Sequence, residues 1–178
     1  KLVDPEVGVF AWYELKDTAT QKTLYLRQAI VDEEKIKRKT GYWLETQIIP
    51  QVGFPIIYRM LLTGPANNPK HVHQILLKEG QQPIRSIEVN PADDLKTSAK
   101  AAKKSLGMET LKTIQGDIQA EHFVFMEDKE EIHIWLNDKV RPMGIVRMTS
   151  PQGELMLSRF GLGGSDATPA IPKDWQSQ

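Results

Sequence analysis

The feature that most constrains the fold is a series of short extended runs, each bounded by turn residues, that fills most of the chain. The runs are rich in Val, Ile, Tyr, Trp, Phe and Thr, which suit a pleated and half-buried surface. They alternate with turns rich in Gly, Pro, Asn and Asp, such as 64–69 and 151–153. Connections this short join antiparallel neighbours, because parallel strands need long crossovers. The pattern predicts a mainly β (α+β) chain built on an antiparallel sheet of about ten strands.

The candidate strands can be placed along the chain. They are Val9–Leu15, Thr23–Val31, Gly41–Ile49, Pro55–Thr63, Val72–Glu79, Ile84–Val89, Glu109–Ile114, Gln119–Met126, Glu131–Asn137, Gly144–Thr149 and Glu154–Phe160. Apolar residues fall on both faces of several of them, whereas a sheet with one wet face alternates more cleanly. A sheet of this width curls rather than staying flat. We therefore expect a curved antiparallel half-barrel.

One segment has a helical pattern, about 91–106. Asn90 is a good N-cap, Pro91 suits the first helical position, and Gly107 can end the helix. Leu95, Ala99, Ala102 and Leu106 recur at helical spacing. The apolar side of this segment is thin, so the pattern predicts one covering helix over the sheet.

The chain length of 178 residues suits one domain. We expect a single antiparallel β half-barrel domain over 1–164. The segment 165–178 has two Pro and no periodic pattern, which predicts an irregular C-terminal tail, with Trp175 as its anchor.

Composition excludes several function classes. Lys plus Arg is 23 and Asp plus Glu is 23, so the chain lacks the charge expected of a general nucleic-acid binder. The absence of Cys excludes thiolate metal sites and a cysteine nucleophile. The longest apolar runs are short, and Phe54–Leu62 carries Arg59, so no transmembrane segment is predicted. Residue 1 is Lys rather than Met, and we expect that a start, a signal segment or a tag preceded it.

Histidines offer one chemical alternative. His71 and His73 form an H-x-H pair, and His122 and His133 lie on two consecutive candidate strands. If Met126 pairs with Glu131, His122 lies opposite Trp135 and diagonally beside His133. Two His and a carboxylate could hold a divalent metal in a metal-dependent enzyme. The other interpretation, which we favour, is a pair of ordinary strand histidines with one ring stacked on Trp135.

Motifs for other chemistry are missing from the sequence. It has neither a G-x-S-x-G turn nor an S-x-x-K box, and the Gly-rich run 161–164 is not followed by a helical pattern or a Lys-Ser/Thr pair. The sequence therefore predicts no catalytic residues, no metal and no cofactor, and a protein that is not an enzyme.

Aromatic and Met side chains are the more informative set, because they fall almost entirely on or beside the strands. A curved sheet lined in this way makes an apolar concavity, the usual shape of a small-molecule or lipid site. The predicted ligand-binding residues are Tyr42, Leu44, Tyr58, Met60, Leu76, Phe123 and Phe125 on the sheet, with Leu95 and Leu106 on the covering helix. A filled, dry core of the same composition is the alternative. Four mid-strand Arg could pair with a lipid carboxylate or phosphate, or lie on the solvated face: Arg27, Arg59, Arg147 and Arg159.

Three stretches resemble a group of uncharacterised exported bacterial proteins. The strand Thr113–Phe123 has the pattern G-x-F/I-x-A/C-E-H-Y/F, Ile134–Val146 has W-x-x-D-K-V-x-P-x-G-x-V, and Gly41–Glu45 is similar to their G-Y-W-x-E strand. That group resembles the outer-membrane lipoprotein carriers (LolA/LolB-like), whose fold is an incomplete antiparallel barrel closed by helices over an apolar cavity. The resemblance implies a periplasmic or outer-membrane-associated protein that handles an acyl chain or a lipidated partner.

The sequence thus supports two main hypotheses. The first is a non-enzymatic cell-envelope protein that binds a lipid or a lipidated protein in an apolar concavity. The second is a structural or protein-interaction domain with a filled core, which contacts another envelope protein through a sheet edge or the helix. A metal-dependent enzyme at His122 and His133 is the third.

Overall fold

The structure is a computed structural model that describes residues 1–89, 102–172 and 174–175. Eleven strands form one antiparallel sheet. They are β1 (Val9–Asp17), β2 (Thr23–Ile36), β3 (Lys39–Pro50), β4 (Ile56–Leu62), β5 (Val72–Glu79), β6 (Arg85–Ile87), β7 (Lys104–Thr113), β8 (Gly116–Glu127), β9 (Glu130–Leu136), β10 (Ile145–Ser150) and β11 (Gly153–Leu162). The described ranges include two single 3₁₀ turns, Pro69–His71 and Ser165–Ala167.

The sheet consists of two meanders that meet at its centre. Its strand order is β6-β5-β4-β3-β2-β1-β11-β10-β9-β8-β7. Strands β1 to β6 run outward to one edge, β7 to β11 run inward from the other, and the first and last strands pair with each other. The connection between the edge strands β6 and β7 includes residues 90–101, which lie outside the described residues.

Turn residues help to set the register between neighbouring strands. Strands β8 and β9 are joined through Asp128 and Lys129, which both have positive φ (47° and 68°), as a two-residue hairpin with a primed turn requires. Between β1 and β2, the Asp17 carboxylate accepts a hydrogen bond from the backbone N–H of Thr20 at 2.8 Å. Such local contacts fix the strand pairing, and pairing decides which side chains share a face.

The predicted mainly β, antiparallel class is confirmed, and the strand Val72–Glu79 has the bounds that its sequence predicts. The sheet is open and curved. The covering helix over 91–106 is wrong at its C-terminal end, because Lys104–Leu106 belong to β7. The rest of that segment, with Leu95, lies outside the described residues. Gly107, which the pattern favours as a helix stop, has φ +98° and stands where the β7–β8 register shifts, so its freedom serves a bulge.

Three apolar clusters support the sheet. The first lies on β1 and on β7 to β11, and includes Tyr13, Leu157 and Val146. The second packs strands β1 to β5 against the C-terminal segment, and the third joins β1 to β4 to the N-terminal residues. Tyr13 is fully buried; its hydroxyl donates to the Ile145 carbonyl at 2.7 Å, and burial raises the pKa of this phenol. The described core is therefore spread along the sheet rather than gathered at one point.

Candidate functional site

A row of apolar side chains crosses seven strands on one face of the sheet. Each member pairs directly with the next across adjacent strands, so that all of them share a face. We call this row the apolar stripe: Phe123, Ile134, Met148, Leu155, Leu15, Leu24 and Pro50. Ile134 and Leu155 are buried, and the other members are half-buried. With strands about 4.8 Å apart, the stripe extends about 29 Å across the sheet.

A cavity of about 170 Å³ opens in the middle of the apolar stripe. Leu15, Leu24, Met148 and Leu155 form its apolar wall. The rest of its lining comes from strand ends and the β10–β11 turn: Asp17, Ser150, Gln152 and Gly153. An apolar cavity of about 150 Å³ can hold a benzene ring, whereas pockets that enclose a whole drug-sized ligand have about 300 Å³ or more. The cavity can thus take a small apolar group or the end of a chain.

Six of the predicted ligand-binding residues share the stripe face. On β3 and β4, Leu44 pairs with Met60 and Thr46 pairs with Tyr58, in the same alternation that brings Ile48 beside Leu26 and Pro50 beside Leu24. Tyr42, Leu44 and Met60 lie in the third cluster, towards the other end of the strands from the cavity. Phe123 belongs to the stripe itself, and Phe125 lies two residues along the same strand.

The remaining predicted residues do not join them. Leu76 pairs with Arg59, which pairs with Glu45, so Leu76 faces the opposite side of the sheet, where it is fully buried. Leu106 is 49% exposed on the edge strand β7 rather than on a covering helix. Leu95 lies outside the described residues. The structure therefore brings the predicted sheet residues together on one face, with Leu76 as the exception.

The opposite face of β2, β3 and β4 is closed by the C-terminal segment. We call this face the tail face. Its centre is a buried ionic triad in which Arg27 Nη1 donates to Glu45 Oε1 at 2.8 Å and Arg59 Nη2 donates to Glu45 Oε2 at 2.6 Å. Glu45 is 0%, Arg27 3% and Arg59 5% exposed. Ile171 of the segment is fully buried beside them.

The charge of Glu45 is held by hydrogen bonds rather than by water. Burial alone raises the pKa of this carboxyl, but the backbone N–H of Ala170 and the guanidinium groups of Arg27 and Arg59 outweigh burial, so the net effect lowers the pKa. The backbone N–H groups of Ala170 and Ile171 donate to the two carboxylate oxygens at 2.7 and 3.3 Å. The triad thus stays ionised in the folded protein and ties the C-terminal segment to the sheet.

Sequence reasoning missed this triad. It offered Arg27 and Arg59 as residues of a lipid site or of the solvated face, whereas both are buried and bind the chain's own tail. The signal was available in the register: the turn between β3 and β4 pairs Glu45 with Arg59, and Arg27 lies beside them on β2. Arg147 and Arg159 are more exposed and lie over the rings of Trp135 and Trp12, each 4.8 Å from the ring centroid.

The two strand histidines form a linear network with two carboxylates. The register that brings His122 opposite Trp135 and His133 opposite Val124 is confirmed. The His122 and Trp135 rings stack with centroids 4.1 Å apart, and His122 Nε2 lies 2.7 Å from His133 Nδ1. His122 Nδ1 is 3.2 Å from Glu109 Oε2, and His133 Nε2 is 2.6 Å from Glu131 Oε1.

Every ring nitrogen of this network has a polar partner. Each of the four lies within 3.2 Å of a carboxylate oxygen or of the other ring. The Trp135 indole N–H also donates to Glu109, and this bond, with His122, lowers the pKa of the Glu109 carboxyl. Within the described ranges, no group of three His, Cys, Asp or Glu side chains could hold a metal ion. Binding a metal here would require both rings to turn away from their partners.

Comparisons with known proteins give a likeness to solved structures. No protein-family model matches the chain, and no curated protein matches it. The chain is similar to the crystal structure of a predicted exported protein with a YmcC-like fold from Bacteroides fragilis NCTC 9343, with 11% identical residues and a TM-score of 0.45, over 90% of this chain and 98% of that chain. A likeness this distant carries no functional argument. None of the helices in the described part of the chain has the length and apolarity to cross a bilayer.

Proposed function

We propose that this chain is a non-enzymatic cell-envelope protein that binds a hydrophobic ligand, a lipid or the acyl chain of a lipoprotein, along the apolar stripe. The observation that carries the proposal is the half-buried stripe with its 170 Å³ cavity. Apolar surface that is left half-covered across several strands gains free energy when a ligand removes it from water, about 25 cal/mol for each Å².

The geometry favours a chain-like ligand over a compact one. The cavity is smaller than pockets that enclose drug-sized molecules. An extended chain could place its end in the cavity between Leu24 and Met148 and lie along the stripe towards Phe123. Exposed apolar side chains in the β3–β4 loop extend the apolar surface at this end of the sheet: Val52 and Phe54.

The envelope location and the kinship with lipoprotein carriers are also proposals. They rest on the resemblance of the strands 113–123 and 134–146 to exported bacterial proteins and, through them, to LolA/LolB-like carriers. A periplasmic or outer-membrane-associated protein of this kind would meet lipids and lipidated proteins as its natural partners.

Native mass spectrometry of freshly purified protein tests the proposal. We expect an extra mass of a few hundred daltons that disappears on denaturation, and fragmentation would identify the lipid. The companion measurement is the melting temperature across a panel of long-chain lipids, because a ligand at about 100 times its Kd adds about 2.7 kcal/mol to the free energy of unfolding. A bare native mass together with unchanged melting temperatures would reject the proposal.

A filled-core interaction domain is the second candidate, and the tail face favours it. There the chain's own C-terminal segment covers the triad, and its Ile171 is fully buried in the second cluster. This candidate predicts that a fluorescent fatty acid is not taken up at all.

A further inference from the structure

The tail face holds the C-terminal segment mainly through main-chain atoms. Arg27 Nε donates to the Asp166 carbonyl and Arg27 Nη2 donates to the Thr168 carbonyl, both at 2.6 Å. Arg59 Nη2 donates to the Ile171 carbonyl, and Glu45 accepts from the N–H groups of Ala170 and Ile171. Main-chain hydrogen bonds give affinity without reading side-chain identity, which is the way proteins bind extended peptides.

Two side chains of the segment add selectivity. Ile171 is fully buried in the second cluster, beside Leu76 and Trp43. Asp166 accepts hydrogen bonds from the Trp12 indole at 2.9 Å and from Arg159 Nη2 at 2.8 Å, and the bond to Arg159 is the largest cause of its lowered pKa. The tail face therefore favours an extended segment that has an acidic residue and, five positions later, a branched aliphatic residue.

The triad needs such an occupant. Glu45 balances only one of the two arginine charges, and the second charge is stabilised by the carbonyls of Asp166, Thr168 and Ile171. A buried guanidinium that loses its acceptors pays a large desolvation cost. A peptide carbonyl supplied by another chain would satisfy these donors as well as the chain's own.

The segment is joined and packed in a way that permits exchange. It follows Gly163 and Gly164, which have φ +79° and +75°, and an added Cβ at either would meet no atom within 4 Å. A cleft of about 320 Å³ lies between the segment, at Pro169 and Trp175, and the sheet, at Trp43 and Gln74. This cleft is open to solvent, so the segment is not sealed against the sheet along this edge.

From these contacts we infer that the tail face is a binding site for an extended peptide, that the chain's own segment Asp166–Ile171 occupies it, and that a segment of the same chemistry from another chain can replace it. The ligand class is an extended peptide with an acidic residue followed five positions later by Ile, Val or Leu. The site is separate from the apolar stripe, which lies on the opposite face.

The test uses the full chain and a fluorescein-labelled peptide of residues 165–172, followed by fluorescence anisotropy. In wild-type protein the tethered tail competes at an effective concentration of about 1 mM, so peptide binding is weak. In the full-length variant Ile171→Asp the tail is expelled, and we expect the peptide to bind at least about tenfold more tightly than to wild type. The same peptide with Ile171→Asp serves as the matched control and should not bind.

Two results would overturn the inference. One is an Ile171→Asp variant that keeps the strand circular dichroism and a cooperative melt but does not bind the peptide. The other is equal binding of the peptide to wild type and variant, which would mean attachment elsewhere on the surface.

A second form of the test applies if Ile171→Asp does not fold. A protease site inserted between Gly163 and Gly164 of the full chain is cut after folding, and the nicked protein is passed over a size-exclusion column. We expect the cut tail to stay bound and then to be replaced by labelled peptide. Unfolding or aggregation on cutting, or a tail that never exchanges, would show that the segment is a fixed part of the core.

Discussion

The two faces of strands β2, β3 and β4 differ in which kind of side chain is buried and which is left partly exposed to water. The tail face carries three ionic side chains that are 0–5% exposed, and the chain covers them with its own C-terminal segment. Near the cavity the stripe face carries apolar side chains, such as Leu24 and Ile48, that stay half-buried, whereas Leu44 towards the other end of the strands is buried. Charged side chains are thus buried on the tail face, while apolar side chains near the cavity stay partly exposed on the stripe face.

This difference separates stability from binding. Buried charges that are fully hydrogen-bonded bind the segment to the sheet, and losing a partner leaves an uncompensated charge. Half-buried apolar side chains gain less free energy from folding than buried ones do. A ligand that covers them gains the free energy of removing the remaining apolar area from water. We therefore expect changes on the tail face to lower stability, and changes on the stripe face to lower ligand binding.

The largest effect should come from removing the charge of Glu45. Glu45→Gln keeps the side-chain shape but leaves Arg27 and Arg59 buried without a counter-charge, so we expect the free energy of unfolding to fall by about 3–5 kcal/mol in urea denaturation. Glu154→Gln is the matched control, because Glu154 pairs with Arg147 but its side chain is 44% exposed. Its loss should cost at most about 1 kcal/mol. Equal effects of the two substitutions would contradict the contrast between buried and exposed ion pairs.

Truncating the apolar anchor of the tail should have the next largest effect. Ile171→Ala leaves a cavity against the second cluster, and we expect a loss of about 3 kcal/mol in the free energy of unfolding. The same substitution at Ile114, which is 79% exposed in a turn, should change stability by no more than about 0.5 kcal/mol. A mild effect at Ile171 would mean that the segment is not packed on the sheet.

Acid should reduce the stabilisation that the ionised Glu45 contributes to the folded protein. The pKa of Glu45 is lowered by folding from its usual value of 4.5. Its stabilisation is therefore fully present above the unfolded pKa and is lost as pH falls through the folded pKa. We expect the stability difference between wild type and Glu45→Gln to be greatest near neutral pH and to shrink in acid, measured by urea denaturation at several pH values. A difference that grows in acid would reverse the assigned sign.

The histidine network should give the smallest effect. Glu109 accepts from Trp135 and lies beside His122, but its side chain is 47% exposed, so solvent screens the interaction. We expect Glu109→Gln to lower the free energy of unfolding by less than about 1 kcal/mol in the same denaturation assay. A loss as large as that of Glu45→Gln would show that exposure does not govern these networks.

Much of the fold could be predicted from the sequence, because its information is local. Strand runs such as 72–79 and the β8–β9 register follow from side-chain alternation and from the turn at Asp128 and Lys129. The covering helix failed at 104–106 because the same residues satisfy a helical spacing and an edge strand, and pairing with β8 decides between them. The local sequence pattern does not show whether the helix or the edge strand forms.

The arrangement of the site was harder to predict, because it depends on contacts between distant parts of the chain. Alternation along the strands places Tyr58 and Phe123 on one face. Leu76 pairs with Arg59, which lies between Tyr58 and Met60 on β4, so Leu76 falls on the opposite face. The triad was missed because a segment more than 120 residues further along the chain supplies its amides to Glu45. A mid-strand Glu between two mid-strand Arg is the signal that register arguments can use.

The most direct test of the central claim compares two neighbouring residues on one strand. Leu24 lines the cavity on the stripe face, and Tyr25 is exposed on the other face. Fluorescent fatty-acid titrations of wild type, Leu24→Glu and Tyr25→Glu would measure ligand binding while circular dichroism monitors the fold. We expect Leu24→Glu to abolish uptake and Tyr25→Glu to leave it unchanged. Uptake that survives Leu24→Glu, or is absent from wild type, would contradict a ligand site on the apolar stripe.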